Sequence, residues 1–210
     1  TGIHTGSYND KGHNLSDLLL ELVKIPNLAR IRISSIEITE LGPKFLEVLK
    51  NNPKICNHLH IPLQSGSDAI LKRMNRKYDK NYYREKIAKI RAIRPDISIT
   101  TDCIVGHPYE TDQDFAEYLA FCKEIGFSKI HVFPYSKRNG TASSYMPEVN
   151  PEIKKARAKE LIRLSNELEE AYNQKFLNKI ELVLTEEEQN GEYTIGHTSN
   201  YLKVYLKGVY

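Results

Sequence analysis

The chain has 210 residues, 30 Lys and Arg against 27 Asp and Glu, and a formal net charge of +3. With 40% hydrophobic and 27% charged residues it has the composition of a globular protein able to bury a core. No apolar run approaches the ~18 residues of a membrane span, no signal-peptide pattern opens the chain, and so slight a positive balance neither demands nor excludes a nucleic-acid partner.

The chain opens in a loop, TGIHTGSYND, with almost no strand before it. Thr1 reads as the end of a strand, which raises the expectation of a piece cut from a longer protein. Leu15–Ile25 has helical spacing, with Asn14 or Ser16 as cap and Pro26 as its stop. Arg30–Ile38 alternates and reads as a strand. Pro43 then starts a short helix through Phe45, Leu46, Val48 and Leu49. His58–Leu63 is the next strand, and Asp68–Ile93 is helical with a break near Tyr78–Asp79.

Ile97–Val105 reads as a strand. It leads to a helix capped at Thr111, with Asp112 and Asp114 at its positive end and Gly126 as its stop. Lys129–Phe133 is a further strand. Asn150 and Pro151 begin a long helix to about Phe176, striped by Leu161, Leu164, Leu168 and Tyr172. Strand–helix alternation at this spacing implies an α/β fold, a partial parallel (β/α) barrel over residues 1–178. Residues 179–210 carry three alternating segments, IELVLTEE, GEYTIGHT and YLKVYLKGVY, without a helix. They read as the start of a small all-β module, incomplete because three strands make a poor domain alone.

Cys56, Cys103 and Cys122 are scattered without a CxxC pair. That suits a reducing cytoplasm and argues against a zinc or iron–sulfur site of closely spaced cysteines in this chain. In parallel β/α folds the chemistry lies on loops at the carboxyl ends of the strands. Here those loops are QSGS, GHPYET and YSKRNGT, with the opening loop as a fourth.

HIPLQSGS, AILKRMNRKY, DCIVGHPYET and HVFPYSKRNGT, in this order and spacing, resemble the radical S-adenosylmethionine (SAM) methylthiotransferases that modify tRNA. RISSIEI and HVFPYSKR are most similar to the branch acting on threonylcarbamoyladenosine beside the anticodon. The resemblance runs from TGIHTGSY to GEYTIGHTSNYLKV. It implies a radical SAM barrel followed by the front of a TRAM module, S-adenosylmethionine as cofactor and tRNA as partner. It also implies transfer of a methylthio group to C2 of a modified adenosine through a 5′-deoxyadenosyl radical. Family members carry two [4Fe-4S] clusters. Neither cysteine set occurs here, so the chain alone is expected to be inactive, its first barrel strand and CxxxCxxC loop lying elsewhere. The rival reading is a non-catalytic RNA-binding protein on a degenerate barrel. An ordinary phosphate-binding barrel is the weaker third, since no Gly-rich phosphate loop is present.

The resemblance assigns cofactor contacts to Gln64, Ser65 and Ser35, and in the opening loop to Gly2, His4, Thr5 and Ser7; Asp102, a strand carboxylate that is costly unless paired or facing a polar cavity, and Gly106 join them on their own chemistry. Their chemistry suits such contacts, since Gln64 donates and accepts, Ser65 offers a hydroxyl, and Gly106 allows adenine close to the backbone. QSGS could equally be a helix cap, and Ser35 an ordinary strand serine. The family's usual GFPGET is here GHPYET, with His107 and Tyr109 replacing Phe and Gly. His107 reads as a surface histidine, with titration or RNA contact as alternatives, and Glu110 as a cofactor-loop residue or a helix-dipole charge. For RNA, Tyr135 could stack and Lys137 with Arg138 could meet phosphate; Lys203 beside Tyr205 sets a cation next to a ring on the β module. Arg30, Arg32, Lys72, Arg73, Arg76 and Lys77 could follow a tRNA backbone or, as surface charges, just as easily be structural.

Overall fold

The computed structural model describes residues 5–137, 140 and 145–208, with backbone alone at 188 and 189. Gly2, His4 and Arg138 therefore lie outside the described residues. A 3-10 turn, Thr5–Ser7, leads to a small hairpin of two-residue strands, β1 (Asn9–Asp10) and β2 (His13–Asn14). Helix α1 (Leu15–Leu22) follows, and of the two candidate caps it is Asn14 that accepts from Ser16 and Asp17 backbone N–H groups. Then come α2 (Pro43–Asn51), β3 (His58–His60), α3 (Asp68–Arg73) and α4 (Lys80–Ile93). The break between α3 and α4 falls where expected. Asp79 starts a new helix by accepting from the Tyr82 N–H, so one helical stretch becomes two.

β4 (Ser98–Val105), α5 (Asp112–Ile125), β5 (Lys129–Pro134) and α6 (Pro151–Gln174) complete the α/β part. Thr111 and Asp114 form a reciprocal capping box on α5, and Gly126 ends it at φ 63°, the left-handed region that favours glycine. β3, β4 and β5 are adjacent and parallel, with His58 opposite Ser98 and Thr100 opposite Lys129. Gln64 bridges to Cys103 and carries the β3 edge beyond its formal end.

The expected strand Arg30–Ile38 is corrected. Only Ile31 and Ser35 pair, with Ile55 and His60, and the segment otherwise runs beside the sheet without a continuous ladder. Its buried residues include Ile33, Ile36 and Ile38, a spacing that breaks the two-residue period of a strand.

Side chains divide cleanly across the parallel sheet. Leu59, Ile61, Ile99, Cys103, Val105 and Ile130 face the helices, packing with Ile87, Ile90, Phe115, Phe121, Leu161 and Leu164 in one apolar core. Burying each such side chain contributes roughly 1.5–3 kcal/mol. The alternate residues, among them His58, His60, Thr100, Asp102 and His131, lie on the opposite face, the inner side of the partial barrel.

Residues 183–207 form an antiparallel sheet of β6 (Val183–Asn190), β7 (Tyr193–Thr198) and β8 (Lys203–Lys207). The turn after β7 seals it against the barrel. Ser199 Oγ accepts the Asn57 N–H at 2.9 Å, and Asn200 reaches Tyr172 Oη at 3.3 Å. Arg30 donates to the carbonyls of His197 (2.9 Å) and Leu182 (2.7 Å), and Arg32 to that of Thr198 (3.2 Å). Of the two readings open for Arg30 and Arg32, an RNA contact or a structural role, these bonds give the structural one: their donors fasten the β module.

Candidate functional site

At the carboxyl ends of β3, β4 and β5 lies a cavity of about 780 Å³. Its wall takes Gln64, Asp102 and Ile104 from the sheet, Tyr135 from beyond β5, Arg73 from the last turn of α3 and Arg76 from the turn after it. A mostly apolar hollow with a few convergent polar groups is the usual form of a small-molecule site.

Gln64 sits at φ 67°, unusual for a residue with a side chain. Three hydrogen bonds hold it there. Its N–H donates to Asp102 O, while its carbonyl accepts from Ile104 N–H and from the Tyr118 hydroxyl. Strain fixed in this way aims the side chain at the cavity instead of along the ladder, a pattern common at binding sites. Gly66 is required by contact: a Cβ there would lie 2.7 Å from the Tyr118 Cα. Ser65 does not reach the wall, being fully buried with its Oγ accepting from Ser67 N–H. Ser67 is the cap of α3, accepting from Ile70 N–H and donating to Asp114 at 2.6 Å. QSGS thus divides its work: Gln64 faces the cavity and Ser67 starts the helix.

Asp102 is half-buried, with Oδ2 3.3 Å from His60 Nε2. His60 Nδ1 and His58 Nε2 both meet Thr100 Oγ1, at 2.9 and 3.0 Å. The His131 ring lies 5.7 Å from that of His60. This histidine array on the barrel's inner face was missed in the sequence, although HLH on one strand and KIHV on another place His58, His60 and His131 at alternating positions. Burial, with Arg32 and the neighbouring imidazoles, pushes His58 down to about 3. Burial lowers His131 as well.

The loop from Gly106 to Glu110 is anchored from below. Glu110 is buried, accepts the Gly106 N–H at 2.9 Å and pairs with Arg157 of α6 at 2.7 Å. Arg157 also holds the Glu110 carbonyl and Asp112. Burial raises the Glu110 carboxyl, opposed by the Gly106 N–H and Arg157. Gly106 itself is buried, at φ 72°, with the Lys154 side chain where a Cβ would project. His107 is corrected: it is 4% exposed, with its ring edge-on to Tyr135 at 5.3 Å, and burial lowers its pKa.

The other expected residues are dispersed. Ser35 is half-buried, bridges to His60 and accepts from Thr5 Oγ1 through its carbonyl. Lys137 is exposed, 4.0 Å from Glu148. Lys203 lies at the far end of the barrel, on a 260 Å³ cavity shared with Lys129 and His131. Cys56, Cys103 and Cys122 are buried and unpaired in disulfides. Among the described residues no three His, Cys, Asp or Glu side chains are placed to hold a metal ion. No helix among them is long and apolar enough to cross a membrane.

Residues 3–122 match the model of the radical SAM superfamily. The chain is 42% identical to a threonylcarbamoyladenosine tRNA methylthiotransferase of Bacillus subtilis, over 99% of this chain and 48% of that protein. To a Thermotoga maritima protein of the same name it is 40% identical, over 89% of this chain and 43% of that one. It is also 38% identical to a tRNA-2-methylthio-N(6)-dimethylallyladenosine synthase of Desulfitobacterium hafniense, over 99% of this chain and 48% of that protein. The chain thus spans about half the length of the curated relatives it matches. Among solved structures, coproporphyrinogen III oxidase (HemN) of Escherichia coli, described as a radical SAM enzyme, shares the fold. Its TM-score is 0.59 at 21% identity, over 73% of this chain and 37% of that one. A parallel sheet carrying its cavity at the carboxyl ends of the strands, and a family match over more than half its length, make this chain a member of the radical SAM superfamily.

Proposed function

We propose that this chain supplies the cofactor-holding barrel wall and an RNA-facing edge of a tRNA methylthiotransferase that modifies C2 of an adenosine derivative beside the anticodon. The observation that carries the reading is the convergence of strained Gln64, Asp102, Arg73 and Arg76 on one cavity. Curated relatives at 38–42% identity are named for that chemistry.

The residues fit S-adenosylmethionine. The cavity is large enough, Gln64 and Asp102 can take ribose hydroxyls or the ammonium, and an arginine can take the carboxylate. When bound with a reduced cluster, the cofactor supplies a carbon-centred radical. The chain's own residues orient the nucleoside, exclude water and keep the Gly106–Glu110 loop fixed through Arg157.

The residues do not fit a [4Fe-4S] cluster, because the three cysteines are buried in the core, Cys103 neighbouring Cys122, and among the described residues no three ligating side chains come together. The two clusters of the family belong to other parts of such an enzyme, and the chain alone is inactive in this reading. Residues 179–210 act as the front of a TRAM-like RNA-binding module, and the site of action is the cytoplasm. Iron–sulfur reconstitution followed by absorbance tests the cluster assignment: no stoichiometric cluster is expected, and a stable one on this chain contradicts it. Nucleoside mass spectrometry of tRNA from cells expressing the full open reading frame tests the activity. A new methylthioadenosine derivative is expected, and its absence, with the protein present and cluster-loaded, contradicts the reading.

A further inference from the structure

We propose that Tyr109 and Arg73 form a stacking platform for an unpaired RNA base beside the cavity mouth. This deepens the RNA-modifying reading above and rests on it. Tyr109 lies in the loop between β4 and α5 at φ 65°, a conformation that disfavours any side chain larger than hydrogen. The fold gains little core packing in exchange, for the residue is 50% exposed. A bulky residue held at such a φ without burial points to a use outside the core.

Its neighbour gives that use a chemical form. The Arg73 guanidinium lies over the ring, 5.1 Å from its centroid, and Arg73 also donates to the Tyr109 carbonyl at 3.1 Å. Arg73 is at the same time part of the cavity wall. One flat cationic group therefore joins the cavity to an exposed aromatic ring. Unpaired bases stack on aromatic rings and on arginine planes, and their phosphates meet neighbouring cations. Exposed Lys72, in the last turn of α3 beside Arg73, supplies such a cation. A base inside a duplex cannot reach the ring, so the ligand class is single-stranded or loop RNA. The base on the platform is a neighbour of the nucleoside presented at the cavity mouth to the cofactor, and it sets the register of the strand there.

The test is fluorescence anisotropy of a labelled single-stranded oligoribonucleotide with the chain and with Tyr109→Gly and Tyr109→Phe. Inorganic polyphosphate serves as the base-free competitor. Tyr109→Gly relieves the backbone strain, so its melting temperature is expected to equal or exceed the parent's. It is expected to bind RNA about fivefold or more weakly, with polyphosphate binding unchanged, while Tyr109→Phe keeps the parent's affinity. Unchanged RNA binding in Tyr109→Gly overturns the platform, and so does equal weakening toward RNA and polyphosphate, which would mark a purely electrostatic role. If the parent chain binds no RNA, the platform and the RNA-facing edge both fall. If it binds and only the variant's loss is missing, the platform alone falls.

Discussion

The ring of Tyr201, in the turn between β7 and β8, lies 4.9 Å from that of His58 on the inner face of the parallel sheet. His197 stacks on Tyr201 at 4.6 Å, and the Arg32 guanidinium lies 4.5 Å from the Tyr201 centroid. A single side chain of the β module is thus held among a barrel histidine, a barrel arginine and a histidine of its own sheet. Tyr201 also sits at φ 66°, so its backbone is strained in the service of this contact.

Tyr201→Ala removes the stacking and cation–π contacts but keeps the unfavourable φ. It is expected to cost about 1–2 kcal/mol, given the ring's partial exposure. Urea denaturation reads the loss, and limited proteolysis is expected to cut the β module first. A variant as stable and as resistant as the parent contradicts the clamp.

Stability is expected to fall on mild acidification. His58 titrates at about 3 in the fold against 6.5 when free, so the unfolded chain binds its proton first. The contribution is complete above pH 6.5 and is lost as pH falls from there toward 3. His107 and His131, also lowered, act in the same sense. Glu110, raised by burial, has the opposite sign, its contribution being lost as pH rises through its folded value. His58→Phe isolates the main effect: it keeps a ring against Tyr201 and cannot titrate. Its unfolding free energy is expected to depend less on pH than the parent's, whose slope from His58 is at most about 1.4 kcal/mol per pH unit. Parallel profiles between pH 5 and 7 contradict the assignment.

Much of the scaffold was legible because its signals are local. Thr111 with Asp114, Gly126, Asn150 before Pro151, and Asp79 at the helix break act within a few residues, and each does so in the structure. The site was legible in part. Gln64, Asp102 and Tyr135 do reach the cavity, whereas Ser65 and Gly106 are held beneath it. What escaped depends on how distant segments meet. Arg30 and Arg32 show only charge in the sequence, and their partners lie 152 to 167 residues away. The Arg157–Glu110 pair spans 47 residues, and His107 looks polar until α6 and Tyr135 close over its loop. Arg30–Ile38 carried both a strand's alternation and a core's spacing, and packing of Ile33 and Ile36 prevailed.

Arg157→Ala is expected to destabilise the fold by about 3–5 kcal/mol, because it leaves the Glu110 carboxylate buried without its cation. One Glu110 oxygen, Oε2, already lacks a hydrogen-bond partner. Adding Glu110→Gln to Arg157→Ala is expected to restore part of the loss, since the uncompensated charge disappears. Denaturation of the two single variants and the double variant measures the coupling. Additive losses would contradict an ion-paired anchor for the loop.

The cavity at the carboxyl ends of β3 to β5 is the proposed seat of S-adenosylmethionine, held through Gln64 and Asp102, and the functional reading turns on it. Isothermal titration of S-adenosylmethionine tests it most directly, using the chain in its full-length, cluster-loaded protein and the Gln64→Ala and Asp102→Ala variants. Saturable binding is expected, and both substitutions should weaken it, each by about tenfold, the worth of one charge-assisted hydrogen bond. Unchanged affinity in both variants would contradict it.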